Sequence, residues 1–403
     1  MRTLIALASL VVAVHAVPSP ATTRLDEFLR ARVEAGDVPA VVAIVVGRQS
    51  TLYTGAFGKA NVAQNRPVQA DSIFRIASMT KPITSLAVMM LYEEGRLGLD
   101  DPVTKYLPEF SKVRVMTAWH EGDATYDSRP PSRMITIRDL LTHTSGLAYS
   151  FVDARLAKLD SAKASDTDLL LHDPGERFAY GPSTMVLGRV IEKISGEPLD
   201  AFFRTRIFEP LGMSETSYAV PDKRDRVVTI HARDGDSLRE SANGRNLAGP
   251  AHGDGGLFST AADYARFMQL ILNRGQLGRV RLLKDATVDL MTSNQIRTLT
   301  IPEQPSTDHS LALPFPIGAG KDRFGFGFQI ETAPAVPELR SAGSLSWGGI
   351  FNTHFWIDPE RSIAAVVLMQ VLPYYDPRAL AVLRGFEREV YKGVVQLQDH
   401  SRK

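Results

Sequence analysis

The chain has 403 residues, 44% apolar and 23% charged, with 46 Lys and Arg against 45 Asp and Glu for a net charge of +1. This is the composition of a folded protein large enough for two lobes; it argues against a disordered chain and against a basic nucleic-acid-binding face. Cysteine is absent, which removes disulfides, thiol nucleophiles and Cys-ligated zinc together.

The first residues, MRTLIALASLVVAVHA, place one Arg before a short apolar run that ends in small residues. They read as a secretory signal over residues 1–16, cleaved after Ala16, with export to the periplasm or beyond. Without such a signal the protein would be cytoplasmic. The run is too short for a stable membrane span, so no stable membrane insertion is expected.

Apolar residues Leu25, Phe28, Leu29 and Val33 recur at helical spacing, and Gly36 closes the segment, so residues 22–36 form a helix. The runs AVVAIVVG and STLYTGAFG follow as two strands joined by a tight turn. Residues 78–95 form a strongly apolar helix ending near Gly95. From about 104 to 300 the pattern is mainly helical. MITIRDLLTHTSGL stops at Gly146, STMVLGRVIEKISG stops at Gly196, PLDAFFRTRIFEPLG is a third helix, and TAADYARFMQLILNRG begins with a Ser/Thr cap and ends at Gly275. Strands return in RFGFGFQIET, AGSLSWGG, FNTHFWID and SIAAVVLMQV, and a last helix covers about 376–392. Tight turns between consecutive strands imply an antiparallel sheet. The fold class is therefore α/β in the α+β sense: residues 19–103 and 310–403 form a sheet lobe flanked by helices, and residues 104–309 form a mainly helical lobe. A cleft between two such lobes is a common place for a site.

Ser78 and Lys81 stand three apart at the head of the 78–95 helix. Residues at that spacing share a face, so the amine can reach the hydroxyl. Pro82 costs little there, because the first helical turn has no use for its N–H. The partial positive charge of a helix N-terminus disfavours an ammonium and favours a developing oxyanion. Ser-x-x-Lys by itself recurs by chance about once in a chain of this length, so the motif needs company.

That company exists. SMTK, LLTHTSGL, YGPSTMVLGRVIEKISGEPL, GGLFSTAADYARF and SLSWGGIFNTHFWID occur in this order along the chain. The pattern resembles the serine β-lactamase and penicillin-binding-protein superfamily on its class C side, and within it the family VIII carboxylesterases. The resemblance covers nearly all of the chain after the signal. It implies that Ser78 is the nucleophile and Lys81 its neighbouring amine. Tyr180 matches the Tyr of the Tyr-x-Asn motif, but Pro182 stands where Asn is usual. The Lys-Thr-Gly slot, on an edge strand in the superfamily, reads Trp347-Gly348-Gly349. Trp347 offers an apolar face and one N–H donor where that lysine would offer a positive charge. Both departures point toward uncharged esters. The resemblance further implies an oxyanion hole from the backbone N–H groups of Ser78 and Ile350.

The expected activity is hydrolysis of small to medium uncharged carboxylic esters through an acyl-enzyme on Ser78. The alternatives are a β-lactamase or D,D-peptidase, an acyltransferase, and a non-catalytic ligand-binding relative. No cofactor or metal is expected, and the only partner expected is a small-molecule ester. His143, in THTSG, reads as a structural residue closing a helix, because Ser-x-x-Lys chemistry needs no histidine. Gly-x-Ser-x-Gly, the nucleophile elbow of α/β-hydrolases, is absent.

Overall fold

The structure is a computed structural model and describes residues 19–161, 169–241, 246–333 and 339–400. The expected signal over residues 1–16 lies outside the described residues. Helix α1 spans Pro20–Glu34, starting two residues before the expected position because Ser19 accepts a hydrogen bond from the Thr22 N–H and Pro20 occupies the first helical position. Strands β1 (Ala40–Gly47), β2 (Thr51–Asn61) and β3 (Arg66–Pro67) follow. Helix α2 (Thr80–Glu93) carries Lys81. Helices α3 (Ser183–Ser195) and α4 (Ala261–Leu272) belong to the helical middle. The C-terminal part supplies β4 (Arg323–Phe324), β5 (Gln329–Ile330), β6 (Leu345–Gly349), β7 (Thr353–Asp358), β8 (Ile363–Leu368) and helix α5 (Pro377–His400).

These strands form one eight-stranded antiparallel sheet in the order β4-β5-β6-β7-β8-β1-β2-β3. The strand β1 sits between β8 and β2, with Val42 opposite Leu368 and Ile44 opposite Thr54, and every one of its residues is buried. Side chains alternate across a strand, so Val41, Ala43 and Val45 face one layer while Val42, Ile44 and Val46 face the other. The first set packs with Leu25, Leu29, Trp356 and Phe386, under helices α1 and α5. The second joins the larger core with Leu86, Phe267, Met268 and Phe355, under α2 and α4. A continuous apolar run is what a strand covered on both faces requires.

Several sequence expectations change in detail. RFGFGFQIET is two short paired strands, because Gly327 turns the chain back at a φ of +91°. The segment expected to be a long helix before Gly146 is helical only over Ile137–Leu141, where Thr136 and Asp139 form a capping box. The expected third helix is interrupted by a π turn over Arg204–Phe208. The helical middle also carries hairpins that apolar periodicity does not reveal. Arg114–His120 pairs with Thr125–Arg129, and His231–Asp234 pairs with Ser237–Glu240. Among the described residues no helix is long and apolar enough to cross a membrane.

Candidate active site

Ser78 lies in a 3-10 turn over Ala77–Met79 that runs directly into α2. Ala77 has a φ of +45°, a left-handed conformation that an alanine adopts only under constraint from its surroundings. Those surroundings are visible. Ile76 N–H donates to the Leu257 carbonyl, and Tyr264 Oη donates to the Met79 carbonyl at 3.0 Å. Phe74–Arg75 pairs with Phe258–Ser259. On the other side β6 presses against the turn: a Cβ built on Gly349 would stand 2.3 Å from the Ile76 carbonyl oxygen. A glycine is therefore required for that approach.

The expected site residues converge. Tyr180 Oη donates to Ser78 Oγ at 2.8 Å, and Lys81 Nζ lies 3.2 Å from the same oxygen. Lys81 is 2% exposed. Its nitrogen also meets Tyr149 Oη at 3.1 Å and the Asp254 carbonyl oxygen at 2.8 Å. Tyr149 Oη donates in turn to Asp254 Oδ2 at 2.5 Å. Burial, reinforced by the Asp254 charge, holds the Tyr149 phenol well above its ordinary range, so it stays protonated. Tyr149 and Asp254 are absent from the sequence expectations. Their only signals are positions just after the Gly146 stop and just before Gly255-Gly256.

Trp347, Gly348, Gly349 and Ile350 lie beside this group. Trp347 packs its ring edge-on to Tyr180 at 5.4 Å between centroids, and its Nε1 finds no acceptor among the described residues. The strand carrying it is not the sheet edge expected from the sequence: β5 and β4 lie outside it. Pairing with β5 stops at Ser346, however, so Trp347 to Gly349 have no strand partner on that side among the described residues. Gly348 makes room for a neighbour, since a Cβ there would meet Tyr374 Oη at 2.4 Å. Ser78, Tyr149, Tyr180, Trp347, Gly348 and Ile350 all line one cavity of about 730 Å3. Gly349 contacts the turn that carries Ser78 behind it.

The cavity wall around Tyr180 is aromatic, while Lys321, Glu331, Arg340, Arg384 and Glu387 line its farther reach. Phe315 meets Tyr180, Phe151, Tyr374 and Tyr375 ring to ring. Arg75 also lines the cavity, with its guanidinium over the Phe258 ring and donating to the Asn246 carbonyl; burial lowers it to about 10. His143 is buried against Tyr180, Phe178 and Phe324, where burial keeps it neutral, far below its ordinary range. It supports the Tyr180 ring and makes no contact with Ser78. Among the described residues no group of three or more His, Cys, Asp or Glu could hold a metal ion.

An eight-stranded antiparallel sheet with helices on both faces, and a Ser-x-x-Lys turn clamped between sheet and helical middle, place the chain in the serine β-lactamase and penicillin-binding-protein superfamily. It belongs to the beta-lactamase family, which matches residues 25–386. The chain is 34% identical to an uncharacterized protein of Mycobacterium tuberculosis, over 89% of this chain and 92% of that one. It is 29% identical to a lovastatin esterase of Penicillium rubens, over 91% of this chain and 98% of that one. Among solved structures it is similar to simvastatin synthase from Aspergillus terreus, with a TM-score of 0.80 and 25% identity, covering 93% of this chain and 98% of that one. The relatives include both esterases and acyltransferases.

Two predictions follow from the packing. Gly349→Ala forces the Ile76 carbonyl and β6 apart, so it should destabilise the protein by about 1–3 kcal/mol. Denaturant melts check this. The second concerns His354, buried beneath Gly348 and stacked on Tyr374. Burial, and then the Arg340 charge, pulls its imidazole from 6.5 down to about 3. Between those values the unfolded chain takes up a proton that the folded chain refuses, so this residue weakens stability as pH falls from 6.5 toward 3. His354→Phe should flatten that decline in denaturant melts run across the same pH range; an unchanged slope would contradict the assignment.

Proposed function

We propose that the protein is a serine carboxylesterase that cleaves small to medium uncharged esters through an acyl-enzyme on Ser78. The observation that carries this reading is the convergence of Tyr180 Oη and Lys81 Nζ on Ser78 Oγ, at 2.8 and 3.2 Å. It occurs in a cavity lined by Trp347, which the order of motifs aligns with the superfamily's third-motif lysine. Ser78 Oγ attacks the ester carbonyl carbon, and its proton passes to the Lys81–Tyr180 pair, which acts as one coupled base. The oxyanion forms between the N–H groups of Ser78 and Ile350. The carbon–oxygen bond to the alcohol breaks as the pair returns the proton, with Tyr180 as its last donor. Water then enters; its oxygen attacks the acyl carbon as it gives a proton to the same pair, and the bond from that carbon to Ser78 Oγ breaks as the pair returns the proton to Ser78, releasing the acid.

Trp347 and the aromatic wall suit an apolar acyl or alcohol group. A β-lactamase or D,D-peptidase would need a cation aimed at the substrate carboxylate. Trp347 does not supply one beside Ser78; of the cations that line the cavity, Arg75 is engaged by the Asn246 carbonyl and the Phe258 ring and Arg340 by Glu331 and Glu387, while Lys321 and Arg384 also line it. A second reading, acyl transfer to an alcohol in place of water, is favoured by the similarity to methylbutanoyltransferases. Both readings share the same acyl-enzyme.

Hydrolysis of p-nitrophenyl acetate and butyrate tests the assignment. The wild-type protein should turn over both, and Ser78→Ala should lose at least roughly 10³-fold in kcat. Nitrocefin should be a poor substrate by comparison. Equal rates for wild type and Ser78→Ala would remove Ser78 as nucleophile, and fast nitrocefin turnover with negligible ester hydrolysis would reverse the substrate reading. Product analysis with an added acceptor alcohol separates hydrolysis from transfer.

A further inference from the structure

We propose that Tyr149 and Asp254 form a positioning pair that orients the Lys81 nitrogen so that its lone pair faces Ser78 Oγ alone. The inference rests on the reading of Ser78 as nucleophile and adds two residues that the motifs do not assign.

The argument is hydrogen-bond accounting around one nitrogen. Nζ is tetrahedral, with its own Cε at one corner, so three directions remain. The structure fills all three: Tyr149 Oη at 3.1 Å, the Asp254 carbonyl oxygen at 2.8 Å and Ser78 Oγ at 3.2 Å. A carbonyl oxygen has no proton to give, so Lys81 must donate to Asp254 O. The Tyr149 hydroxyl has one proton, and it is committed to Asp254 Oδ2 at 2.5 Å. Toward Lys81 that hydroxyl can therefore only accept. In the neutral amine both N–H bonds are then spoken for, one by Tyr149 and one by the Asp254 carbonyl. The remaining direction holds the lone pair, and the partner there is a hydroxyl that can donate into it. Ser78 Oγ in turn accepts from Tyr180 Oη at 2.8 Å, which leaves its own proton free to point at Lys81.

Asp254 acts twice, through its main chain and its side chain. Its backbone is pinned by a close approach: a Cβ built on Gly253 would stand 2.1 Å from the Thr184 carbonyl, and Thr84 Oγ1 donates to the Gly253 carbonyl at 2.6 Å. Helices α2 and α3 thus hold the segment that orients Lys81. Without the Asp254 carboxylate, the Tyr149 proton could swing toward the Lys81 lone pair and compete with Ser78. Without the Tyr149 oxygen, the amine could rotate about its last bond, and its lone pair would no longer be fixed.

The groups that face Lys81 are Ser78, Tyr149, Tyr180 and Asp254, with the neutral His143 ring nearby. Burial, and then the nearby Asp254 charge, raises the Tyr218 phenol, whose hydroxyl donates to the His252 carbonyl. Asp254 brings the negative charge to this group. Its removal makes protonation of the base less favourable, which gives a readout that a merely structural residue would not move.

The test uses Tyr149→Phe and Asp254→Asn in the full chain, with Ser78→Ala beside them and p-nitrophenyl butyrate as the probe. Single-turnover release of p-nitrophenol reads acylation, and thermal melts read folding. Both variants should melt near the wild type and lose roughly 10- to 100-fold in acylation rate, with KM little changed. Asp254→Asn should also move the acidic limb of the kcat/KM profile to lower pH. Wild-type acylation with an unmoved acidic limb in both variants overturns the proposal, and so does a loss of rate that only follows a fall in melting temperature with the limb unmoved. Full activity in Ser78→Ala would instead overturn the underlying nucleophile reading, so the two failures are distinguishable.

Discussion

A primary amine taken out of water must replace the hydrogen bonds it leaves behind, and a charged one must do so or lose its proton. Lys81 is 2% exposed, deep between two lobes, and the site is arranged around that constraint. Each partner of its nitrogen comes from a different part of the chain: Ser78 from the preceding turn, Tyr149 from the segment after the capped helix at 137, and Asp254 from the loop before α4. The amine is satisfied only when all of these segments close together. The placement of Ser78 beside the amine and the packing of the sheet against the helical middle are therefore aspects of one packing problem.

The sheet supplies the rigid half of the solution. Strand β1, buried on both faces, anchors β8, β7 and β6 in register, and this brings Gly349 against the Ile76 carbonyl. The helical middle supplies the other half through Leu257, Phe258 and Tyr264, which bind the backbone on either side of Ser78. Ala77 is held in a left-handed conformation between them. Strain of this kind persists only where the surroundings over-determine the backbone, and here both lobes do so. The aromatic cluster of Tyr180, Trp347, Phe315 and Phe151 then gives this side of the cavity an apolar wall, against which the Tyr180 ring packs while its hydroxyl donates to Ser78 Oγ.

Much of this is legible in the sequence, for identifiable reasons. Ser78 and Lys81 sit three apart on a helix start, a local relation that spacing alone exposes. Tyr180 and the Trp347-Gly348-Gly349 slot are visible through the order of motifs along the chain, and the apolar run of β1 announces a doubly covered strand. Tyr149 and Asp254 are different, because 105 residues separate them and their pairing exists only once the helical middle has folded back on itself. The Arg114–Arg129 hairpin is hidden because its strands are largely polar and exposed, with a register shift that breaks alternation. The place of β6 in the sheet is equally invisible: the two-residue strands β4 and β5 look like one longer strand until Gly327 reverses the chain.

The central claim is that the oxygen of Ser78 becomes covalently acylated during turnover. Its most direct test is acid quenching during p-nitrophenyl butyrate turnover, followed by intact-protein and peptide mass spectrometry. The account predicts one butyryl group per chain, located on the peptide containing Ser78, appearing before steady state and absent from Ser78→Ala. A butyryl group on any other residue, or ester hydrolysis at full rate with no adduct under conditions that trap a slowly deacylating control enzyme, would contradict it.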